Sequence, residues 1–180
     1  MLATLAQLKA YLQVSSDDVS SDSLYTDLLT RAQAEVTDEL GLSALESTVV
    51  TDERHDSSAI IVPDMRPFVT NFVMKYINDF SGTPADTTLT AYTDYIAYPS
   101  HVVCYLHRDE GDSGRMRIKL SYTGGYTVAT VPAPIVEAII LTAAYQLQLN
   151  QPLQPGTSTD RRTPANIKSL LEPYARLRTP

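Results

Sequence analysis

A chain of 180 residues with 43% hydrophobic content is long enough for one compact domain, or one domain with an extension, and for a real core. Its net charge of −7 argues against tight binding to phosphate backbones, which needs clustered Lys and Arg, and its single cysteine excludes an internal disulfide. With three histidines and one cysteine in all, there is no Cys/His cluster at zinc spacing, so neither a structural metal nor another cofactor is expected.

Charge is distributed unevenly. Residues 1–60 carry eleven acidic and three basic side chains, residues 61–130 seven and six, and residues 131–180 three and five. An acidic front with a basic tail is compatible with DNA passing nearby without sticking, although the front taken alone reads as an ordinary solvated surface.

The first helix is expected over residues 4–13. Thr4 and Gln7 have the spacing of a capping box, and Leu5, Leu8 and Leu12 make one apolar stripe. The amphipathic start MLATLAQLKAYL lacks a cleavage-site pattern, and the longest apolar run falls short of the roughly 18 residues that cross a bilayer, so no membrane partner is expected. After the polar run SSDDVSSDS, a second helix is expected over 24–40, with Leu24, Leu28, Ala32, Val36 and Leu40 at fourfold spacing and Gly41 as its stop. These are core-facing stripes.

The period then changes. SAIIVP, FVTNFVMKYI, AYTDYIAYP, HVVCYLHR and RMRIKLSYTGGY are short, β-branched and aromatic, which predicts a β region over 48–128. Pro63 and Pro67 should break a strand or place it at an edge. Cys104 reads as a small buried hydrophobe in an apolar strand. DEGDSGR reads as a hairpin loop joining a strand at 101–108 to one at 115–123, and Gly124-Gly125 as a tight turn.

A third helix follows over 132–149, opened by Pro132 and Pro134 and uninterrupted by Gly or Pro thereafter. Its apolar residues cover most of the circumference, so it must be buried on several sides. In so small a chain a neighbouring subunit is expected to supply one wall, at Ile139, Ala143, Ala144 and Leu147. NQPLQPGTSTDRRTP, residues 150–164, has the composition of an exposed linker. Thr163 and Pro164 restart a short helix with Ile167, Leu170 and Leu171 on one face, stopped by Pro173. Residues 161–180 hold five basic side chains against Glu172, and such a tail is not expected to join the core. Helix, helix, sheet, helix, helix is an α+β order: a helical bundle with an inserted antiparallel β region.

Enzymatic readings fare poorly. Gly111-Asp112-Ser113-Gly114 matches the nucleophile loop of chymotrypsin-like proteases, but Arg115 follows it, and neither His55 nor His101 stands in the context such enzymes require. An acidic loop is the simpler reading, and a small serine hydrolase only a remote alternative. Asp109, Glu110 and Asp112 lack the twelve-residue calcium pattern. No P-loop lysine follows Gly124-Gly125. The second helix sets Glu35, Asp38 and Glu39 against Arg31, which a major-groove recognition helix would not do. No catalytic or metal-binding residue is therefore assigned.

Two N-terminal helices beginning in LAQLKAYLQV, an apolar strand closing on a proline (AIIVPDMRPFVTNFVMKYI), TDYIAY, a strand ending in YTGGY, a VP-started apolar helix and a closing LLEPYARLR occur in this order. The sequence resembles, over nearly its whole length, the head-to-tail connector (adaptor) proteins of long-tailed phages. The aromatic usual near the end of the long helix is matched by Tyr145. The basic residue often found just after it is replaced by Gln148 and Asn150.

The resemblance implies a non-enzymatic structural protein of the virion neck, made in the host cytoplasm. It implies a homo-oligomeric ring, commonly of twelve copies, beneath the portal. Its partners would be the portal protein on one side and a stopper or tail-completion protein on the other, with DNA passing through the lumen unread during ejection. Another neck or tail-completion protein is the alternative. The resemblance divides the chain into an adaptor core (1–149), a linker (150–164) and a portal-binding segment (165–180), in which Leu171, Tyr174, Arg176, Leu177 and Arg178 would make the contact. The eleven tyrosines suit interfaces, and equally suit strands.

Overall fold

The computed structural model of the protein describes residues 1–56, 58–78, 85–105, 118–149 and 165–175. Helices and antiparallel sheets segregate into two compact units, one of Met1–Leu45 with Tyr126–Pro180 and one of Glu46–Gly125, so the class is α+β.

The first unit is helical. α1 (Leu5–Leu12) opens on the capping box: the Thr4 hydroxyl accepts from the Gln7 N–H at 3.3 Å, and Gln7 Oε1 accepts from the Thr4 N–H at 2.8 Å. α2 (Asp22–Glu39) ends in a Schellman motif. Gly41, at φ 66°, donates to the Asp38 carbonyl at 2.9 Å, and Leu42 donates to the Thr37 carbonyl at 3.2 Å. The expected row along α2 holds except at its start. Four residues advance a helix about 40° past a full turn, so the row winds around the cylinder. Leu28, Ala32, Val36 and Leu40 are buried, Leu24 has rotated out to 44% exposure, and Tyr25 packs on the core in its place.

α3 (Ala133–Leu149) carries Pro134 in its first turn, and the Pro132 carbonyl accepts from the Ile135 N–H at 3.0 Å. α4 (Ala165–Leu171) runs into a 3₁₀ turn, Glu172–Tyr174. α3 packs against α1, α2 and α4, and the core joins Leu8, Leu28, Leu29, Ile135, Ile139 and Ile167. Leu2 and Ala3, ahead of the first helix, are buried as well, with the Leu2 N–H held by Gln33 Oε1 at 2.8 Å.

The second unit holds seven strands: β1 (Thr48–His55), β2 (Ile60–Ile61), β3 (Phe68–Asn78), β4 (Ala85–Thr88), β5 (Tyr95–Tyr98), β6 (His101–Cys104) and β7 (Ile118–Gly124). They form a four-stranded sheet ordered β1-β7-β3-β4 and a three-stranded sheet ordered β2-β6-β5. Alternation along β7 turns Ile118, Leu120 and Tyr122 inward, where Met74 of β3 joins them. Phe72 links the sheets, with its ring 5.4 Å from Tyr95 and 6.2 Å from Tyr122. Cys104 is buried, as expected.

One expectation about the strands is overturned. β6 and β7 are not a hairpin, because β6 has β2 and β5 on its two edges while β7 has β1 and β3 on its own. The loop residues that suggested it, 109–115, lie outside the described residues.

Candidate functional site

The four α3 positions expected at a subunit interface are placed inside the protomer. Ile139 and Ala143 are fully buried and Ala144 is 6% exposed, all within the helical unit, and Leu147 packs partly buried against the same core. The walls that an all-round apolar helix requires come from α1, α2 and α4 of the same chain. Thr142, also buried, sits among them. One turn further, Gln146 donates to Glu35 of α2 at 2.8 Å.

The C-terminal expectations divide. Ile167 and Leu171 are each 1% exposed and belong to the core, so α4 is a core element and Leu171 faces its own protomer, contrary to the sequence reading. Two apolar residues four apart on a helix share a face, and that face is covered by α3. Lys168 on α4 pairs with Glu39 of α2 at 3.2 Å. Tyr174 is partly buried against the same cluster. Arg176, Leu177 and Arg178, the linker 150–164 and Ser113 lie outside the described residues.

The sequence reading missed a tightly held charge among the described residues of the helical unit. Lys9 is 5% exposed; its Nζ meets Asp22 Oδ1 at 2.5 Å and donates to the Asp18 carbonyl at 2.8 Å. The signal was available: one lysine between Leu8 and Leu12 on a helix followed by an aspartate-rich turn.

A second polar cluster lies in the β unit. β1 bulges between Val50 and Glu53, with Asp52 at φ 57°, and β3 bulges on the other side of β7, with Asn71 at φ 56°. Glu53 Oε1 accepts from the Asp64 N–H at 2.9 Å and meets His55 Nε2 at 2.5 Å. The Tyr122 hydroxyl donates to Glu53 Oε2 and accepts from the Met65 N–H at 3.1 Å. Burial alone would raise the Glu53 carboxyl, but the bonds from His55, Tyr122 and Asp64 outweigh it and hold the group below its ordinary value of 4.5. Burial, and the carboxylate that the phenol serves, push Tyr122 well above its ordinary 10. Both Glu53 oxygens are engaged in tying β1 and β7 to the 64–65 segment, which is a structural arrangement. Among the described residues no group of three His, Cys, Asp or Glu could hold a metal ion, and no helix is long and apolar enough to cross a membrane.

No protein-family model matches the chain, and no curated protein does. Solved structures do. A chain in the structure described as the neck of an empty GTA particle, computed with C6 symmetry, superposes with a TM-score of 0.65 at 16% identity, covering 99% of this chain and 91% of that one. A chain in the virion of a native gene transfer agent (GTA) particle gives 0.61 at 16% identity with the same coverage. A chain in the neck of the native GTA particle, computed with C12 symmetry, gives 0.57 at 15% identity. Identity this low over nearly whole chains establishes a shared fold, and it is the fold of those three particle chains that this protein has.

Proposed function

We propose that the protein is a structural component of a virion neck, a head-to-tail adaptor that forms a ring under the portal and leaves a channel for DNA. The observation that carries this reading is the likeness, over 99% of the chain, to chains of GTA necks. The residue order of the connector family supports it independently. In this reading the portal lies on one side of the ring, commonly of twelve copies, and a stopper or tail-completion protein on the other. The acidic front serves as a non-adhesive surface for passing DNA.

Subunit contacts in the ring use surfaces other than Ile139, Ala143 and Ala144, which the protomer buries itself. The portal contact falls to the segment after α4, Tyr174 with Arg176, Leu177 and Arg178, where charge steers docking and the apolar Tyr174 and Leu177 hold it. Changing Arg176 and Arg178 to Ala then weakens portal binding most at low salt, where the charges are least screened. The protein is no hydrolase: Ser113→Ala leaves assembly intact, whereas covalent labelling of Ser113 by a fluorophosphonate would reverse this conclusion.

Genetic removal tests the role. Without the gene, DNA-filled heads and free tails should accumulate separately, and purified protein added to the extract should join them. Normal tailed particles formed without the gene would refute the adaptor reading.

A further inference from the structure

The outer face of the four-stranded sheet carries more positive charge than it neutralises. Burial alternates along β7, so Lys119, Ser121 and Thr123 point away from the core that Ile118, Leu120 and Tyr122 enter. Residues directly opposite in an antiparallel pair share a face, and the register sets Arg54 of β1, Lys119 of β7, Lys75 of β3 and Thr88 of β4 in one row across the sheet. Like charges so placed repel and weaken the pairing. Asp86 of β4 answers one of them: Lys119 donates to it at 2.9 Å and holds its carboxyl below the ordinary 3.8, with the charges of Lys75 and Arg54 adding to the effect. Among the described residues Arg54 and Lys75 make no ion pair. Even with Asp52 of the β1 bulge counted, three cations face two carboxylates.

Beside this row, Val49 and Val73 stand opposite Thr123 and Ser121 and are 68% and 37% exposed. The small side chains of β7 between two valines leave a shallow apolar trough that ends at the cations. The chain carries a matching surface on its helical unit. Lys9 is the one Lys or Arg in residues 1–30, and Asp22 with the Asp18 and Ser16 carbonyls consumes its ammonium. The turn between α1 and α2 therefore exposes Asp17 and Asp18 with the one cation of that stretch already taken, and Val19, 70% exposed, follows directly. Asp18 is held as a carboxylate by the Ser20 N–H at 3.0 Å and the Ser20 hydroxyl at 2.6 Å.

We infer that the α1–α2 turn of a second copy docks on this sheet face, with Val19 between Val49 and Val73 and the two aspartates on Arg54 and Lys75. The inference rests on the ring reading and deepens it by naming the surfaces that meet, since a ring of identical subunits repeats one contact between two different faces of the chain. Opposite charge selects the pairing of faces. The exposed valines favour a protein segment over a phosphate backbone, which would use the cations alone. Exposed ion pairs contribute little each, so the contact is weak between two free subunits and holds when repeated around a closed ring.

Disulfide trapping of full-length subunits at low salt reads so weak a contact. Val19→Cys protein is mixed with Val73→Cys protein under mild oxidation, and the native Cys104 is buried. The mixed disulfide is expected in at least about tenfold excess over either variant linked to itself. Placing Arg54→Glu and Lys75→Glu in the Val73→Cys subunit should cut its yield by about tenfold, and adding Asp17→Lys and Asp18→Lys to the Val19→Cys subunit should restore it. Rescue by swapped charges is a result that misfolding cannot give. A yield indifferent to charge reversal, reversal without rescue, or a mixed product no more abundant than the self-linked ones would overturn the proposal. So would loss of the mixed disulfide on adding a short DNA duplex, because the face would then be one for phosphates. Neither portal, heads nor tails enter this experiment, so its failure leaves the neck reading standing, and failure of the neck reading is seen in the genetic test.

Discussion

Gly124 shows how closely the β unit is fitted. A Cβ built there would lie 2.8 Å from the Tyr122 ring, 3.0 Å from Met65 Cβ and 3.2 Å from the Met65 carbonyl oxygen, and the last of these is backbone that cannot swing away. Gly124→Ala should destabilise the protein by about 1–3 kcal/mol, read as a lower denaturant midpoint; an unchanged midpoint would mean that the 65–66 segment yields freely. Next to it, Tyr122→Phe keeps the ring but strips Glu53 of a donor and leaves the Met65 N–H without its acceptor, a loss of about 1–3 kcal/mol. The Glu53 carboxyl titrates below its unfolded value in the native state, so its contribution is present above 4.5 and disappears as pH falls through the lower folded value. Denaturation of wild type and Glu53→Gln from neutral to acid pH should therefore converge at the acid end. Parallel curves would contradict that assignment.

At the scale of elements, α3 and α4 form one cooperative structure. Ala143 has no space for a larger polar group, so Ala143→Glu should unfold the subunit before any assembly defect can be scored, because a carboxylate would be buried without a partner. Truncation after Thr163 removes Ile167 and Leu171 from the core and should yield an insoluble or strongly destabilised chain, each lost side chain costing about 2–5 kcal/mol; a soluble truncated subunit with native melting would contradict the packing. These elements also mark what could be read from the residues. The capping box at Thr4, the Gly41 stop and the prolines opening α3 were legible because each is a local backbone requirement met by one residue type. Burial of α3 was legible too, from a composition with no polar face. The source of its walls was not, since periodicity gives the number of sides to be covered and says nothing of which chain covers them. The β6–β7 pairing failed for a related reason: neighbours in sequence were taken as neighbours in the sheet, while each had both edges filled by strands more distant along the chain. Lys9 escaped notice because a single charge on an apolar stripe looks like a solvated edge until the turn folds back over it.

For the whole molecule, charge and fold lead to one arrangement. Residues 1–60 carry eleven acidic side chains against three basic ones, while the sequence beyond α4 is basic, and in the proposed role these stretches of opposite charge would meet unlike partners. Heterologous contacts repeated around an axis are all satisfied only when the ring closes. Electron microscopy of the purified protein mixed with its portal, with class averages viewed down the axis, tests this most directly. The account predicts a closed ring of twelvefold symmetry seated on the portal, present with wild-type protein at low salt and depleted there when Arg176 and Arg178 are changed to Ala. Portals that remain bare beside monomeric, folded subunits would contradict it.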